Sequence, residues 1–209
     1  MCGRFRDTRR WSDVHRALVA ASLPVAEQPA LNLAPRVQVR PTIDATIVPL
    51  EAGAAFIRRA RWWLIAWFHK GTVKDWKFTT FNARAESVAT ARTYRDSFAR
   101  RRCLISASGR YEWTGDKASK TPWLFEPRDG APIACAGIWD RCDTSDAVIV
   151  ESCTIITQPA GAPLNRSHDR APVVLIAQHW ARWLDPAAEV MELLGPERVD
   201  RFVIHPASL

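Results

Sequence analysis

Apolar residues along this chain fall in short runs broken by Pro, Gly or charge. The runs "ATIVPL" (45–50), "AFIRRARWWLIAWF" (55–68), "CLISAS" (103–108), "PWLFEP" (122–127), "PIACAGIW" (132–139), "CTIIT" (153–157) and "PVVLIA" (172–177) are rich in β-branched and aromatic residues and read as strands. A 3.6-residue period appears in three places. Ser12 as N-cap, with Val14, Ala17, Leu18 and Ala21 on one face, predicts a first helix. Val88, Ala91, Tyr94 and Phe98 predict a second over Val88 to about Arg100, with arginines outward. Asp185 followed by Pro186 predicts the start of a third, ending near Gly195. Many short strands interrupted by a few helices imply an α+β fold: one domain over 1–209, with a curved, mostly antiparallel sheet or barrel-like core and a few flanking helices.

Composition narrows the function classes. With 209 residues, 47% of them apolar, the chain can bury a real core and is not a disordered segment. Its longest apolar run, Trp62 to Phe68, is too short to span a bilayer, and "MCGRFRDTRR" has no apolar segment behind its charges, so no membrane partner and no secretory signal are expected. Five cysteines (Cys2, Cys103, Cys135, Cys142, Cys153) lack C-x-x-C or zinc-finger spacing; free thiols in a reducing cytoplasm, without metal or cofactor, are the simplest reading. The charge balance is basic, 29 Lys+Arg against 22 Asp+Glu, with Arg in the majority and ten Trp beside it. Arginine with exposed aromatics suits a single-stranded nucleic-acid groove, where charge tracks phosphates and rings stack on bases. Buried tryptophans and solvated arginines would give the same composition.

Four stretches carry chemistry. If Met1 is removed, Cys2 presents an α-amine and a thiol on adjacent carbons. The amine, with a pKa of about 7.7–8.0, can attack an aldehyde to give a Schiff base. The thiol can then add to the imine carbon and close a five-membered thiazolidine. In "TTFNARAES" (79–87), Asn82, Arg84 and Glu86 alternate as on one strand face, where an Asn beside an Arg could hold an oxygen or amine and a phosphate; a strand end feeding a helix capped by Ser87 reads equally well. In "GRYEWTG" (109–115), the local pattern places Glu112 on the solvent face of an alternating strand. Set instead in an apolar wall, it would make a general acid or base. In "NRSHDRAPVVL" (165–175), His168 and Asp169 precede a buried strand in a loop constrained by Pro172, a common catalytic placement.

The opening MCGR, NARAE, YEW and HDR-x-P segments, together with "LNLAP" (31–35), "AGIW" (136–139), "TIIT" (154–157) and "HPAS" (205–208), stand in the order and spacing of the SRAP (SOS-response-associated peptidase) family, which the chain resembles over nearly its whole length. The resemblance implies covalent capture of abasic sites in single-stranded DNA by a monomer. Cys2 is then the nucleophile, Asn82 positions the N-terminus and opened sugar, and Glu112 and His168 move protons. Arg4, Arg84, Arg170 and, as a further candidate, Arg92 contact phosphates. Trp67 and Phe68 match a pair that wedges against bases, while Pro35 and Thr157 line the pocket. The chain departs from the family where Trp63 and Ala66 replace a usual Gly and Pro, at Ser106 where Pro is common, at Ala171 where a larger residue often follows Arg, and in stopping at Leu209. Two other readings remain open: an N-terminal-nucleophile peptidase in which the Cys2 thiolate attacks a carbonyl, releasing at least Met1, and a non-catalytic binder of single-stranded or modified DNA.

Overall fold

A computed structural model describes residues 2–115, 119–161, 169–195 and 201–207. In chain order the elements are β1 (Phe5–Asp7), α1 (Trp11–Ala20), β2 (Arg36–Val39), β3 (Asp44–Glu51), β4 (Ala54–Ala55), β5 (Arg58–Trp62), β6 (Asn82–Arg84), α2 (Arg95–Arg100), β7 (Arg102–Ala107), β8 (Gly109–Thr114), β9 (Thr121–Pro127), β10 (Ile133–Asp143), β11 (Ile149–Pro159), β12 (Arg170–Pro172), β13 (Val174–Leu175), α3 (Ala177–Leu184) and β14 (Phe202–Pro206).

Five strands close a barrel in the order β11, β5, β3, β7, β10 and back to β11. Every seam is antiparallel except β11 on β5, where Ser152 and Cys153 lie parallel to Arg61 and Trp62. Strand alternation separates the two sides. Ala45, Ile47, Ala60, Trp62, Cys103, Ile105, Ile133, Cys135, Trp139, Cys153 and Ile155 form the inner cluster. Val48, Leu104, Ala134, Ala136, Ile138 and Ile156 face outward and pack under Val14 and Leu18 of α1, Phe98 of α2, and Trp180, Trp183 and Leu184 of α3. Covering on both sides explains why "CLISAS" and "IACAGIW" read as near-continuous apolar runs. A second sheet, ordered β14, β9, β8, β1, β2, joins the inner cluster through Phe5, Val39, Phe125 and Phe202.

The α+β architecture agrees with the sequence reading; three boundaries do not. Arg10, not Ser12, caps α1, and its N–H donates to Asp13 Oδ2 at 3.0 Å. The second helix covers only Arg95–Arg100, because Ala85 to Tyr94 form turns closed by bonds such as Ala91 N–H to the Ser87 carbonyl. The third matches only at its end, where a 3-10 helix over Met191–Leu194 is capped by Gly195. Asp185 ends α3 in an extended conformation (φ −71°, ψ 111°) instead of beginning a helix. Pro186 disfavours the helical region for the residue before it, and Trp180, Trp183 and Leu184 supply the apolar face of a helix that ends where the expected one begins.

Of the ten tryptophans, Trp62, Trp76, Trp139, Trp180 and Trp183 are buried, four are half-buried, and Trp67 is exposed. The composition thus mostly records a core. Four of the five buried indoles are bonded within it: Trp183 Nε1–H to the Cys103 carbonyl (2.9 Å), Trp62 Nε1–H to that of Phe81 (2.8 Å), Trp180 Nε1–H to that of Leu175 (3.2 Å) and Trp76 Nε1–H to the Thr80 hydroxyl (3.1 Å).

Gly137 sits where β10 meets the inner cluster; a Cβ there would lie 2.6 Å from Ile105 Cδ1. Gly137→Ala is expected to destabilise the fold by about 1–3 kcal/mol through overpacking, read as a lower urea midpoint. An unchanged midpoint would show that the barrel interior has room to spare.

Candidate active site

The N-terminal segment enters the second sheet beside β8. Phe5 pairs with Arg110 and Arg6 with Gly109, and Tyr111 N–H donates to the Arg4 carbonyl at 3.0 Å. This antiparallel zip carries the chain back toward Glu112 and delivers Cys2 into the inner cluster at 1% exposure. From the other side, β6 lies parallel to β11, with Asn82 opposite Ile155. Asn82 Nδ2 donates to the Cys2 carbonyl at 2.8 Å. That bond fixes the amide orientation, so Oδ1 is turned the other way; it is buried and accepts no hydrogen bond. The Asn82 carbonyl accepts the Tyr94 hydroxyl at 3.4 Å.

Glu112 is 3% exposed, which overturns the local expectation of a solvent-facing side chain. Strand β8 is flanked by β1 and β9 and both its faces are covered at this point, so alternation carried no information about exposure. Arg110, two residues back on the same strand, brings Nε to 3.7 Å from Glu112 Oε1. Sequence reasoning missed Arg110, although the i, i+2 spacing with Glu112 was the signal that could have found it.

Burial pushes the Cys2 thiol well above its ordinary value, and the neighbouring Glu112 and Cys135 push it further. The thiol is therefore protonated at neutral pH. Chemically, the arrangement offers a thiol, an amide acceptor and a carboxylate gathered about the Cys2 backbone.

The basic candidates occupy different settings. Arg84, opposite Thr157 on β11, and Arg92 are exposed. Arg4 lies over the Trp113 ring at 5.0 Å. Arg170 is already engaged: its two terminal nitrogens donate to Glu86 Oε1 and Oε2 at 2.5 and 2.8 Å, and Nη2 also reaches the Thr157 carbonyl. Glu86 does not extend the Asn82–Arg84 face, as the alternation suggested. The strand ends at Arg84 and Glu86 sits in the following turn, drawn to Arg170. Thr157 is buried and bonds the Ala83 carbonyl at 3.2 Å. Pro35 is exposed just before β2. His168 lies outside the described residues.

Trp67 and Phe68 form a built surface. Buried Asp140 accepts the Trp67 backbone N–H at 3.0 Å and the Ser97 hydroxyl at 3.1 Å, while Asp96 accepts the Trp67 indole N–H at 3.1 Å. Phe68 stands edge-on to Trp67 (6.0 Å) with Arg92 over its ring (4.8 Å). The substituted positions fit this loop: the Trp63 indole N–H binds the Phe78 carbonyl at 2.9 Å, and Ala66 is buried. Arg92 and Tyr94 share one turn, so that turn joins the aromatic surface to Asn82. Among the described residues no group of three His, Cys, Asp or Glu gathers as metal ligands, and no helix is long and apolar enough to cross a membrane.

Residues 1–208 match the family model described as SOS response associated peptidase (SRAP). Abasic site processing protein YoaM of Bacillus subtilis is 30% identical over 189 residues, covering 89% of this chain and 80% of that protein. Abasic site processing protein YobE of the same organism is 29% identical over 191 residues, covering 89% and 83%. A solved structure of a Bacteroides thetaiotaomicron protein shares the fold, with a TM-score of 0.85 at 19% identity over 99% of this chain and 92% of that one.

The Arg170 guanidinium, by its hydrogen bonds, holds the Glu86 carboxyl down at about 2. A carboxyl depressed on folding stabilises the fold above its unfolded pKa and loses that contribution as pH falls toward the folded value. An NMR titration should therefore place the Glu86 midpoint near 2, and Arg170→Ala should return it toward about 4.3. A midpoint unmoved by that substitution would contradict the pairing.

Proposed function

The chain belongs to the SRAP family, and from that premise we propose that it processes abasic sites in DNA, capturing the opened sugar in a single strand through Cys2 after Met1 is removed. The abasic-site part rests on relatives named for that activity. The chemistry rests on this chain's own residues.

One observation carries the reading: Asn82 is half-bonded to Cys2. Its Nδ2 is spent on the Cys2 carbonyl, and its Oδ1 is a buried acceptor without a donor. A buried polar atom left without a partner costs about 1–3 kcal/mol. The freed α-amine of Cys2, attached to the same residue as the bonded carbonyl, is the donor this acceptor suits. Asn82 would then hold the amine at the point where the aldehyde carbon must arrive.

The steps balance without a cofactor. The neutral amine attacks the aldehyde carbon, and a carbinolamine forms. Glu112 takes the proton from nitrogen and returns one to the departing hydroxyl, which leaves as water. The imine carbon then receives the Cys2 sulfur, while the thiol proton passes to the imine nitrogen and closes the thiazolidine. A protonated thiol is no obstacle in this order, because the amine acts first and the sulfur second. The same thiol weighs against the peptidase reading, which needs a thiolate as first nucleophile. Left open, the imine would permit β-elimination and strand cleavage.

Exposed Arg84 and Arg92, with the Trp67–Phe68 surface, would hold the flanking strand through phosphates and stacked bases. Arg170 would join them only when phosphate displaces Glu86.

The deciding experiment incubates the protein with an abasic single strand and runs a denaturing gel. Wild type should give a heat-stable shifted band. Cys2→Ala should give an adduct only with borohydride, since the amine remains and the ring cannot close. Asn82→Ala should slow adduct formation roughly 10–100-fold while leaving the fold intact, in line with a positioning role. A heat-stable adduct from Cys2→Ala without reductant would remove the thiazolidine.

Removing the Glu86 charge should release Arg170 for phosphate. Glu86→Gln is expected to tighten non-covalent binding of an undamaged single strand by roughly two- to fivefold, the scale of an exposed ion pair, with a steeper salt dependence. Weaker binding would make Glu86 a support for Arg170 instead of its competitor.

A further inference from the structure

Arg110 and Glu112 are both nearly solvent-free, with side chains 3% and 4% exposed, and their charges stand 3.7 Å apart. At that distance the guanidinium Nε supplies charge to Oε1 without a hydrogen bond. The Arg110 guanidinium is itself held between two rings, 4.8 Å from the Phe125 centroid and 5.1 Å from that of Phe202. These rings belong to β9, which pairs with β8, and to β14 beyond it, so two successive strands of the sheet help to fix it. Both charges reach Cys2: Glu112 raises its thiol and Arg110 lowers it.

Such a pair is a poor device for stability. Two desolvated charges cost several kcal/mol each, and apolar replacements of equal volume are often neutral or better. Without a cation, a carboxyl in surroundings this dry is held neutral, and a neutral acid cannot take a proton from an amine. The buried guanidinium is what lets this wall contain a base.

We propose that Arg110 is a positioning residue for the capture reaction: clamped between Phe125 and Phe202, it holds Glu112 as a carboxylate directed at the N-terminus of Cys2. This rests on the capture reading above and names the group that makes Glu112 usable in it. In the cycle, Glu112 begins ionised beside Arg110, takes the nitrogen proton of the carbinolamine and returns it to the hydroxyl, which departs as water. Arg110 exchanges no proton and touches no reacting atom.

The test is a double-mutant cycle on the rate of adduct formation with an abasic single strand, with melting temperatures recorded for every variant. Glu112→Gln should slow the rate by roughly 10²–10⁴-fold, the range of a lost general acid–base. Arg110→Gln should slow it by about 10–100-fold in the wild-type background and by less than about threefold when Glu112 is already Gln, because a residue acting through another adds nothing once that partner is gone. Arg110→Lys, which keeps the charge, should recover most of the loss. A purely structural arginine would slow both backgrounds alike. Equal losses in the two backgrounds, or a Lys variant as slow as the Gln variant at a native melting temperature, overturn the proposal. Should Arg110→Gln unfold, Arg110→Met repeats the comparison with a side chain that fills the space between the rings. Absence of any adduct from wild type would instead sink the capture reading, and that outcome is visible in the wild-type lane alone.

Discussion

Strand β11 has two sets of neighbours, and the site depends on the change between them. Its first half pairs antiparallel with β10 and parallel with β5, closing the barrel. Its second half, from Ile155 on, leaves β5 behind and takes up β6 on one side and β12 on the other. Asn82 and Arg84 come from β6 and Arg170 from β12, so three of the candidate residues are held by main-chain pairing to one strand. The barrel fixes the strand, and the strand fixes the residues. A Cys2 carbonyl 2.8 Å from Asn82 Nδ2 is a consequence of that frame meeting the β1–β8 zip.

Buried charge is concentrated around this frame and each instance has a specific partner. Asp140 is 1% exposed and burial pushes its carboxyl up, yet it accepts N–H groups from Trp67 and Arg141 and the Ser97 hydroxyl. It ties the exposed Trp67 to β10 and to α2. Asp7, likewise raised by burial, accepts the Thr46 hydroxyl at 2.7 Å and links β1 to the barrel. Glu112 answers to Arg110. In each case a polar side chain costs desolvation energy and in return fixes where a segment lies, the use of buried polarity best reconciled with its cost. Hydrogen bonds thus hold the Trp67 loop and the Cys2 carbonyl in place before any ligand arrives, which reduces the ordering that binding requires.

Much of this was legible in the sequence, for identifiable reasons. The barrel strands were readable because staves covered on both sides give continuous apolar runs. Cys2 and Asn82 stood out by chemical type and by family resemblance. Less local features were hidden. Burial of Glu112 depends on β1 and β9, which lie far from it in the chain, so the "RYEW" alternation pointed to solvent. The α3 boundary was lost because Asp-Pro serves both to start and to stop helices, and only packing of Trp180 and Trp183 on the barrel decides. The occupation of Arg170 by Glu86 joins residues 84 positions apart, and no local signal announces it. Resemblance alone set Trp67 apart from the other tryptophans; composition could not have separated this exposed indole from nine covered or partly covered ones.

The central claim is that the N-terminal amine and the thiol of a single residue jointly bond one carbon of an abasic sugar. The direct measurement is peptide mapping by mass spectrometry of the protein recovered from a reaction with an abasic single strand, after digestion of both chains. The account predicts a peptide beginning at Cys2, Met1 absent, carrying the sugar remnant with loss of one water and with its thiol no longer open to alkylation. A remnant on a lysine, or on a peptide that still begins at Met1, would contradict it.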